Sequence, residues 1–471
     1  MKAPAEIGSA RLRAGGEARA AVAVIGGGIT GLTAAWTLQR AGHPVVVFEA
    51  GSKVGGSIGS YRTGEWLHET GPNAMMENSP EVPKLIEEVG LAKQRVYAAP
   101  AAKKRYVVRD DVMEAMPASP VAFALTGLFS WKAKLALLGE PFRPKAPADT
   151  EESVAEFVRR RLGQEFLDYA VNPFVGGVYA GDPTRLSVKH GFPKLWKLEQ
   201  EHGSLIRGAI ARKNTSGGPT GRMFSFRGGL QELPRTMEHL LRGVVRRGVR
   251  VRTVRRAGGE WEIEFEVAGV MLKETFSAVI CAVPPDGLAA IGFEGFAQAK
   301  ELKELARIEH APVASVFTGW RREAVAHPLD GFGVLVPEVE QGQVLGSLFS
   351  SSLFPRRAPE GHVALTTFVG GARQPELAQL SEPELVELVR GELRGLVGAR
   401  GEPVFVHVKR WPRAIPQYTL GYGRYLEICA KAEGAAPGLF IGGNGRDGIS
   451  LSNCIASGRR LAREAGAWVG R

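Results

Sequence analysis

The chain has 471 residues, 44% apolar and 23% charged, the composition of a soluble globular protein with room for two or three domains. Its 60 basic and 49 acidic residues leave a formal charge of +11, yet no dense Lys/Arg block or nucleic-acid module accompanies it. An acidic substrate or an acidic lipid surface therefore ranks ahead of nucleic acid as a partner. Three scattered cysteines, Cys281, Cys429 and Cys454, lack CxxC spacing and argue against a disulfide framework or a zinc site. No metal ligand set is expected, and no stretch has the length of a transmembrane helix.

Met1–Ala20, rich in Ala, Gly and Arg, has no apolar core of a secretory signal and reads as a flexible tail. Val22–Ile25 reads as a buried strand. Gly26, Gly28 and Gly31 follow at GxGxxG spacing, then a helical segment Leu32–Ala41, a Gly42 stop, a second strand Val45–Phe48 and the acid Glu49. Each part has a task in holding a dinucleotide: a tight turn, backbone approach to a pyrophosphate, and close helix–strand packing. The helix start offers free N–H groups to phosphate, and Glu49 stands where an acid accepts hydrogen bonds from a ribose. A second glycine pair, Gly55-Gly56, comes at once, followed by Glu69–Asn73. That arrangement resembles the flavin-containing amine oxidase superfamily.

Further along, Pro80–Gly90 reads as an amphipathic helix, and Lys103–Arg105 is a basic cluster feeding a short strand, with Arg105 suited to grip a carboxylate. Pro117–Pro147 is amphipathic, with Phe129, Trp131, Leu135 and Leu138 beside Lys132, Lys134 and Arg143. It suits either a core helix pair or a lipid-facing surface. Ser153–Ala170 reads as one helix opened by a Ser153/Glu156 capping box, and Asn172–Pro183 as a glycine-dense break packed against something flat. Lys213–Gly221 reads as a loop. Leu230–Arg242 reads as a helix, Val249–Arg252, Trp261–Val267 and Ala278–Val283 as strands. Val313–Trp320, Gly331–Val336, Val344–Ser350, His362–Phe368 and Pro403–Trp411 predict an antiparallel sheet, interrupted by a Ser381/Glu384-capped helix to Val397. The final Gly438–Asn444, Gly448–Ser450 and a helix from Asn453 can bring another helix N-terminus to a flavin ring.

Motifs along nearly the whole chain after Ala20 resemble the FAD-dependent protoporphyrinogen oxidases, including the flavin coproporphyrinogen oxidases. Among them are GGGITGL at 26–32, ETGPN at 69–73, KRYVV at 104–108, VYAGDPTRLSV at 178–188, GFGVLVP at 331–337, LGSLFSSSLFPRRAP at 345–359, TTFVGGARQPEL at 366–377, RWPRAIPQY at 410–418 and GISLSNCI at 448–455. The resemblance implies removal of six electrons from a porphyrinogen in three flavin reductions, with oxygen as acceptor and peroxide as product. It implies that Arg105 pairs a propionate, Phe368 stacks on one pyrrole, and Leu335 and Leu348 sandwich another. Gly177 would place its carbonyl near the macrocycle, and Asn73 would lie near the reacting centre. Non-covalent FAD would contact Gly26, Gly27, Gly28, Ile29, Thr30, Gly31, Glu49, Ala50, Gly55, Gly56, Ser57, Ile58, Gly59, Ser60, Gly71, Pro72, Asn73, Val251, Val254, Trp411, Gly443, Asn444, Ile449, Ser450 and Leu451. Gly59 stands where some members carry an arginine, so no side-chain charge is supplied to the pyrophosphate there.

The expected fold is α/β, α+β overall. A Rossmann-type FAD domain is assembled from 21–79, 222–294 and 430–471, a substrate domain with an antiparallel sheet from 80–104 and 295–429, and a helical, membrane-associated domain from 105–221. The expected setting is cytoplasmic, peripheral to the cytoplasmic membrane, with a homodimer left open. Protoporphyrinogen is the first expectation for substrate. The alternatives are coproporphyrinogen III with four propionates, an amine oxidase on the same scaffold, and a non-catalytic flavin-bearing tetrapyrrole carrier.

Overall fold

A computed structural model describes residues 21–213 and 221–470. The expected flexible tail and most of the 213–221 loop lie outside the described residues.

Val22–Ile25, fully apolar, sits at the centre of a five-stranded parallel sheet. Val45–Glu49 pairs on one side and Ala278–Cys281 on the other, with Val245–Arg247 and Leu439–Ile441 at the edges. The strands come from three distant stretches of chain. Burial on both faces requires continuous apolar runs, and VAVI, VVVF and AVIC supply them. Helix Ile29–Arg40 covers one face together with helix Leu451–Val469. The two helices run side by side in close contact. A Cβ on Gly458 would lie 2.4 Å from the Thr30 carbonyl, and one on Gly466 3.0 Å from His43.

A four-stranded sheet built on Val249–Ala257, Glu260–Val267 and Val270–Phe276 packs beside this unit. The third large layer is a seven-stranded sheet. Its order is Phe405–Pro416, His310–Arg321, His362–Gly370, Val344–Leu348, Gly331–Leu335, Lys104–Arg109 and Val112–Ala115. It is antiparallel except between Gly331–Leu335 and Lys104–Arg109, which run parallel. Helix Glu382–Val397, opened by the expected Ser381/Glu384 box, seals one face through Leu385, Val389, Leu393 and Val397.

Two helical expectations need correction. Ser153–Ala170 is not one helix: Val154–Arg161 keeps its Ser153/Glu156 capping box but stops before Gly163, whose φ of +98° redirects the chain. Asn172–Pro183 is not a break, since Asn172–Tyr179 is helical and ends at Ala180 in the left-handed region. Its glycines let the helix pack closely against Leu335, Leu345 and Arg373. Among the described residues no helix is long and apolar enough to cross a membrane.

Residues 120–142 divide into a buried part and an exposed part. Leu128 and Phe129 are buried, and Phe129 stacks on Phe166 at 4.4 Å between ring centroids. Trp131, Leu135, Leu138 and Phe142 are 65–82% exposed. Phe129 therefore belongs to the core, because Ser130 caps the next helix and turns the chain outward.

Candidate active site

The first glycine loop is fixed by its own backbone. A Cβ on Gly31 would meet the Gly26 carbonyl at 1.9 Å, and Gly26 holds φ +108°. Gly28, by contrast, has nothing within 4 Å of the place a Cβ would take. It faces a channel bordered by Gly56 and Gly443, where a Cβ would meet only Gly28 Cα at 3.4 Å and Thr30 Oγ1 at 3.8 Å, respectively. Three backbone segments thus present bare peptide to one space beside a helix N-terminus, the arrangement a pyrophosphate needs. The residues fit FAD. Gly55 N–H donates to the Gly27 carbonyl at 2.8 Å, which joins the two loops.

Glu49 holds this loop as well as closing the unit. Its carboxylate accepts from Gly27 N–H at 2.8 Å and Gly51 N–H at 2.6 Å, next to Ala50. Val251 and Val254 are buried in the apolar core with Phe48. Ser57, Ile58, Gly59 and Ser60 lead into the hairpin Ser60–Thr63/Trp66–Glu69. A Cβ at Gly71 would lie 1.9 Å from the Ser57 carbonyl, so Gly71 and Pro72 lock against that segment. Asn73 is oriented by donating from Nδ2 to the Gly71 carbonyl at 3.0 Å. Trp411 Nε1 donates to the Thr70 carbonyl at 2.5 Å, tying the seven-stranded sheet to the cofactor segment.

Ser450 caps the last helix by accepting from Asn453 N–H at 3.1 Å, so that helix starts at Leu451, two residues earlier than expected. From the Gly458–Thr30 contact, its start projects six residues, about 9 Å, beyond the start of helix Ile29–Arg40. The two N-termini are stepped along one direction. Asn444 and Ile449 lie in the loop before the cap. Tyr418 secures that loop, with its hydroxyl donating to the Asn444 carbonyl at 2.6 Å and accepting from Gly448 N–H at 3.0 Å.

Register explains where the residues expected to meet substrate lie. Partners across a sheet share a face, as do residues two apart. One rung runs Lys409–Ser315–Phe368–Gly346–Leu335–Val107, and the next His407–Phe317–Thr366–Leu348–Gly333–Arg105. Trp411 follows Lys409 on the same face. Arg105, Leu335, Leu348, Phe368 and Trp411 are therefore gathered on one surface. Five strand spacings, about 24 Å, separate the Arg105 end from the Trp411 end. Gly333 and Gly346 interrupt the two rungs, each at φ +154° with no room for a Cβ. They place no side chain on the face between Leu335, Leu348 and Phe368.

Helix Asn172–Tyr179 packs over that face. A Cβ on Gly177 would lie 2.7 Å from Leu335 Cδ2. The Gly177 carbonyl is in the last turn, and the Gly181 N–H that could reach it goes to Val175 instead. Arg105 is exposed, stacks over the Phe332 ring at 5.6 Å and has no carboxylate partner among the described residues. Its neighbour Lys104 is committed to Asp330 at 2.5 Å, so the basic cluster is narrower than its sequence suggests.

Sequence reasoning missed a buried charged layer beneath Asn73. Glu69 Oε1 accepts from Arg357 Nη1 at 3.0 Å and from Leu230 N–H at 3.1 Å, and its other oxygen accepts from Ser60. Burial pushes the Glu69 carboxyl up despite Arg357 and Ser60, and burial likewise lowers Arg357. His68, 2% exposed, has no partner on either ring nitrogen. Burial first, then His407 and Arg357, holds it down at about 4. His68, Glu69, Asn73, Phe317, Arg357 and Thr366 line one internal pocket. Glu69 and Arg357 stood within recognised motif strings. His68 carried no signal.

The profile of the family described as flavin containing amine oxidoreductase matches residues 29–465. Protoporphyrinogen oxidase 2, chloroplastic/mitochondrial, of Arabidopsis thaliana is 37% identical over 94% of this chain and 92% of that protein. The mitochondrial protoporphyrinogen oxidase of Nicotiana tabacum is 36% identical over 94% of each. Coproporphyrinogen III oxidase of Bacillus subtilis (strain 168) is 27% identical over 94% of this chain and 97% of that one. A solved structure from Exiguobacterium sp. 255-15 shares the fold with a TM-score of 0.80 at 23% identity, covering 96% of this chain and 100% of that one. Cyclohexylamine oxidase from Brevibacterium oxydans IH-35A also shares the fold, as part of the same broad set of neighbours. The chain belongs to the flavin-containing amine oxidoreductase family, within the protoporphyrinogen oxidase group.

Proposed function

We propose that the protein oxidises protoporphyrinogen IX to protoporphyrin IX, with FAD as cofactor and molecular oxygen as acceptor. The observation that carries this reading is the single sheet face that runs from an unpaired arginine, through an apolar patch, to the cofactor segment. Relatives named protoporphyrinogen oxidase at 36–37% identity support it further.

FAD, when bound, supplies the hydride acceptor, and the protein supplies orientation. Leu335, Leu348 and Phe368 receive a flat apolar ring on their shared sheet face. Arg105 engages a propionate at the outer end, where a fork of donors matches a carboxylate. The Gly177 carbonyl accepts from a pyrrole N–H, since no N–H of the helix uses it. Asn73, held by Gly71, borders the reacting centre. With Lys104 occupied by Asp330, that face has one free guanidinium at its outer end, which favours two adjacent propionates over four distributed ones.

The exposed Val121, Leu125, Trp131, Leu135, Leu138 and Phe142 form an apolar surface with Lys132 and Arg143 nearby. It supports peripheral attachment to the cytoplasmic membrane.

The test is product fluorescence with both porphyrinogens supplied to the FAD-loaded protein. Faster protoporphyrin formation is expected. Preference for coproporphyrinogen overturns the substrate assignment.

A further inference from the structure

Oxidising one methylene bridge of a porphyrinogen removes two hydrogens in different forms. The carbon loses hydride, which bound FAD would accept. The adjacent pyrrole N–H loses a proton, its electron pair stays on nitrogen, and a conjugated C=N bond results. Three rounds remove three hydrides and three protons; two of those protons come from pyrrole N–H groups and the third from the fourth methylene by tautomerisation, so that four bridges end as CH and two N–H groups remain. Leu335, Leu348 and Phe368 cannot accept a proton, and neither can the Arg105 guanidinium or the Asn73 amide. Glu69 borders the pocket, but its oxygens are taken by Ser60, Leu230 and Arg357.

His68 remains. It is buried, both ring nitrogens are without a partner, and it lines the pocket that Asn73 also lines. Its ring centroid lies 4.2 Å from that of His407. His407 is half-buried on the edge strand Phe405–Pro416. The imidazole pair thus leads from the internal pocket to the protein edge. We propose that His68 accepts the proton released in each oxidation, through the pocket beside Asn73, and that His407 passes it to solvent. The inference rests on the porphyrinogen reading.

The electrostatics agree with a transient acceptor. His68 faces Tyr61 from its hairpin partner strand, His407 from the sheet edge and the Arg357 guanidinium, and Glu69 lines the same pocket. Arg357 is in turn influenced by Arg62 and Glu232. The imidazole is therefore neutral at neutral pH and ready to receive. A pyrrole N–H beside a carbon that has just lost hydride is a cationic acid, so a weak base suffices. His407 is also lowered by burial, while Glu382 raises it and Lys409 lowers it. Its partial access to water lets the proton leave.

The experiment is anaerobic stopped-flow reduction of the holoenzyme by protoporphyrinogen, in water and in deuterium oxide, across pH 5–9. His68→Gln, still carrying FAD, should slow flavin reduction by about 10². It should also enlarge the solvent isotope effect, and added imidazole should restore part of the rate in His68→Ala. His407→Gln should slow reduction several-fold with the same isotope signature. Wild-type rates, pH profile and isotope effect in His68→Gln overturn the relay. If His68→Gln fails to hold FAD, His407→Gln decides, and wild-type behaviour there overturns the relay. A wild-type protein whose flavin is reduced by neither porphyrinogen overturns the functional reading and the relay with it. Wild-type turnover beside unaffected variants removes the relay alone.

Discussion

Arg357 donates from Nη1 to Oε1 of Glu69 at 3.0 Å, and each side chain is 3% exposed. Burial dominates the titration of both partners, raising Glu69 and lowering Arg357. The pair is therefore not a net source of stability by itself, yet breaking it strands a buried charge. Arg357→Ala should cost about 3–5 kcal/mol, whereas Glu69→Gln combined with Arg357→Met should cost much less. Thermal or denaturant unfolding of the two variants checks this. Equal losses would show that the layer stabilises through its attraction.

The glycines divide into two kinds. Gly31→Ala forces a Cβ within 1.9 Å of the Gly26 carbonyl, while Gly28→Ala meets no protein atom within 4 Å. Gly31→Ala should fail to fold stably. Gly28→Ala should fold and lose FAD affinity, because its methyl enters the cofactor channel. Melting curves with and without added FAD separate the two outcomes.

Substrate anchoring and the shape of the apolar patch should show in KM. Arg105→Ala removes the charge partner of a propionate, a contribution of about 1.5–3 kcal/mol, or roughly a 10- to 100-fold rise in KM. Gly177→Ala pushes on Leu335 from 2.7 Å and should raise KM while FAD content stays normal. Steady-state kinetics with flavin absorbance measured on the same samples checks both.

The neighbours Phe129 and Trp131 should behave oppositely. Phe129→Ser opens a cavity beside Phe166 and should cost about 3 kcal/mol or more of stability. Trp131→Ser with Leu138→Ser changes exposed positions and should leave stability and activity in detergent intact while reducing sedimentation with anionic vesicles. Unchanged sedimentation would remove the membrane reading.

His68 also predicts an acid response. Its folded value, about 4, lies below the ordinary 6.5, so the unfolded chain binds the proton more readily. Its contribution is complete above about pH 6.5 and is lost as pH falls towards 4, at most about 3 kcal/mol. Stability of wild type relative to His68→Gln should fall over that window. A constant difference would contradict the burial argument.

What could be read from the sequence depended on how local its cause was. Gly26–Gly31 and Glu49 lie within one βαβ unit, and spacing alone exposes their task. The Ser153 and Ser381 caps are equally local. Arg105, Leu348 and Phe368 were named through motif resemblance, but their shared face follows from strand register between residues hundreds of positions apart. Asn172–Tyr179 looked like a loop because its glycines disfavour helix, and packing against Leu335 and Leu345 overrides that preference. Phe129 and Trp131 are two residues apart and similar in chemistry, so composition could not separate core from surface. His68 became visible only once folding removed every hydrogen-bond partner from its ring.

The most direct measurement is oxygen uptake and porphyrin fluorescence recorded together on the FAD-loaded protein with protoporphyrinogen IX. Three oxygen molecules consumed per protoporphyrin formed, with matching peroxide, is the predicted result. Porphyrin formed without oxygen uptake, or oxygen uptake without porphyrin, would contradict it.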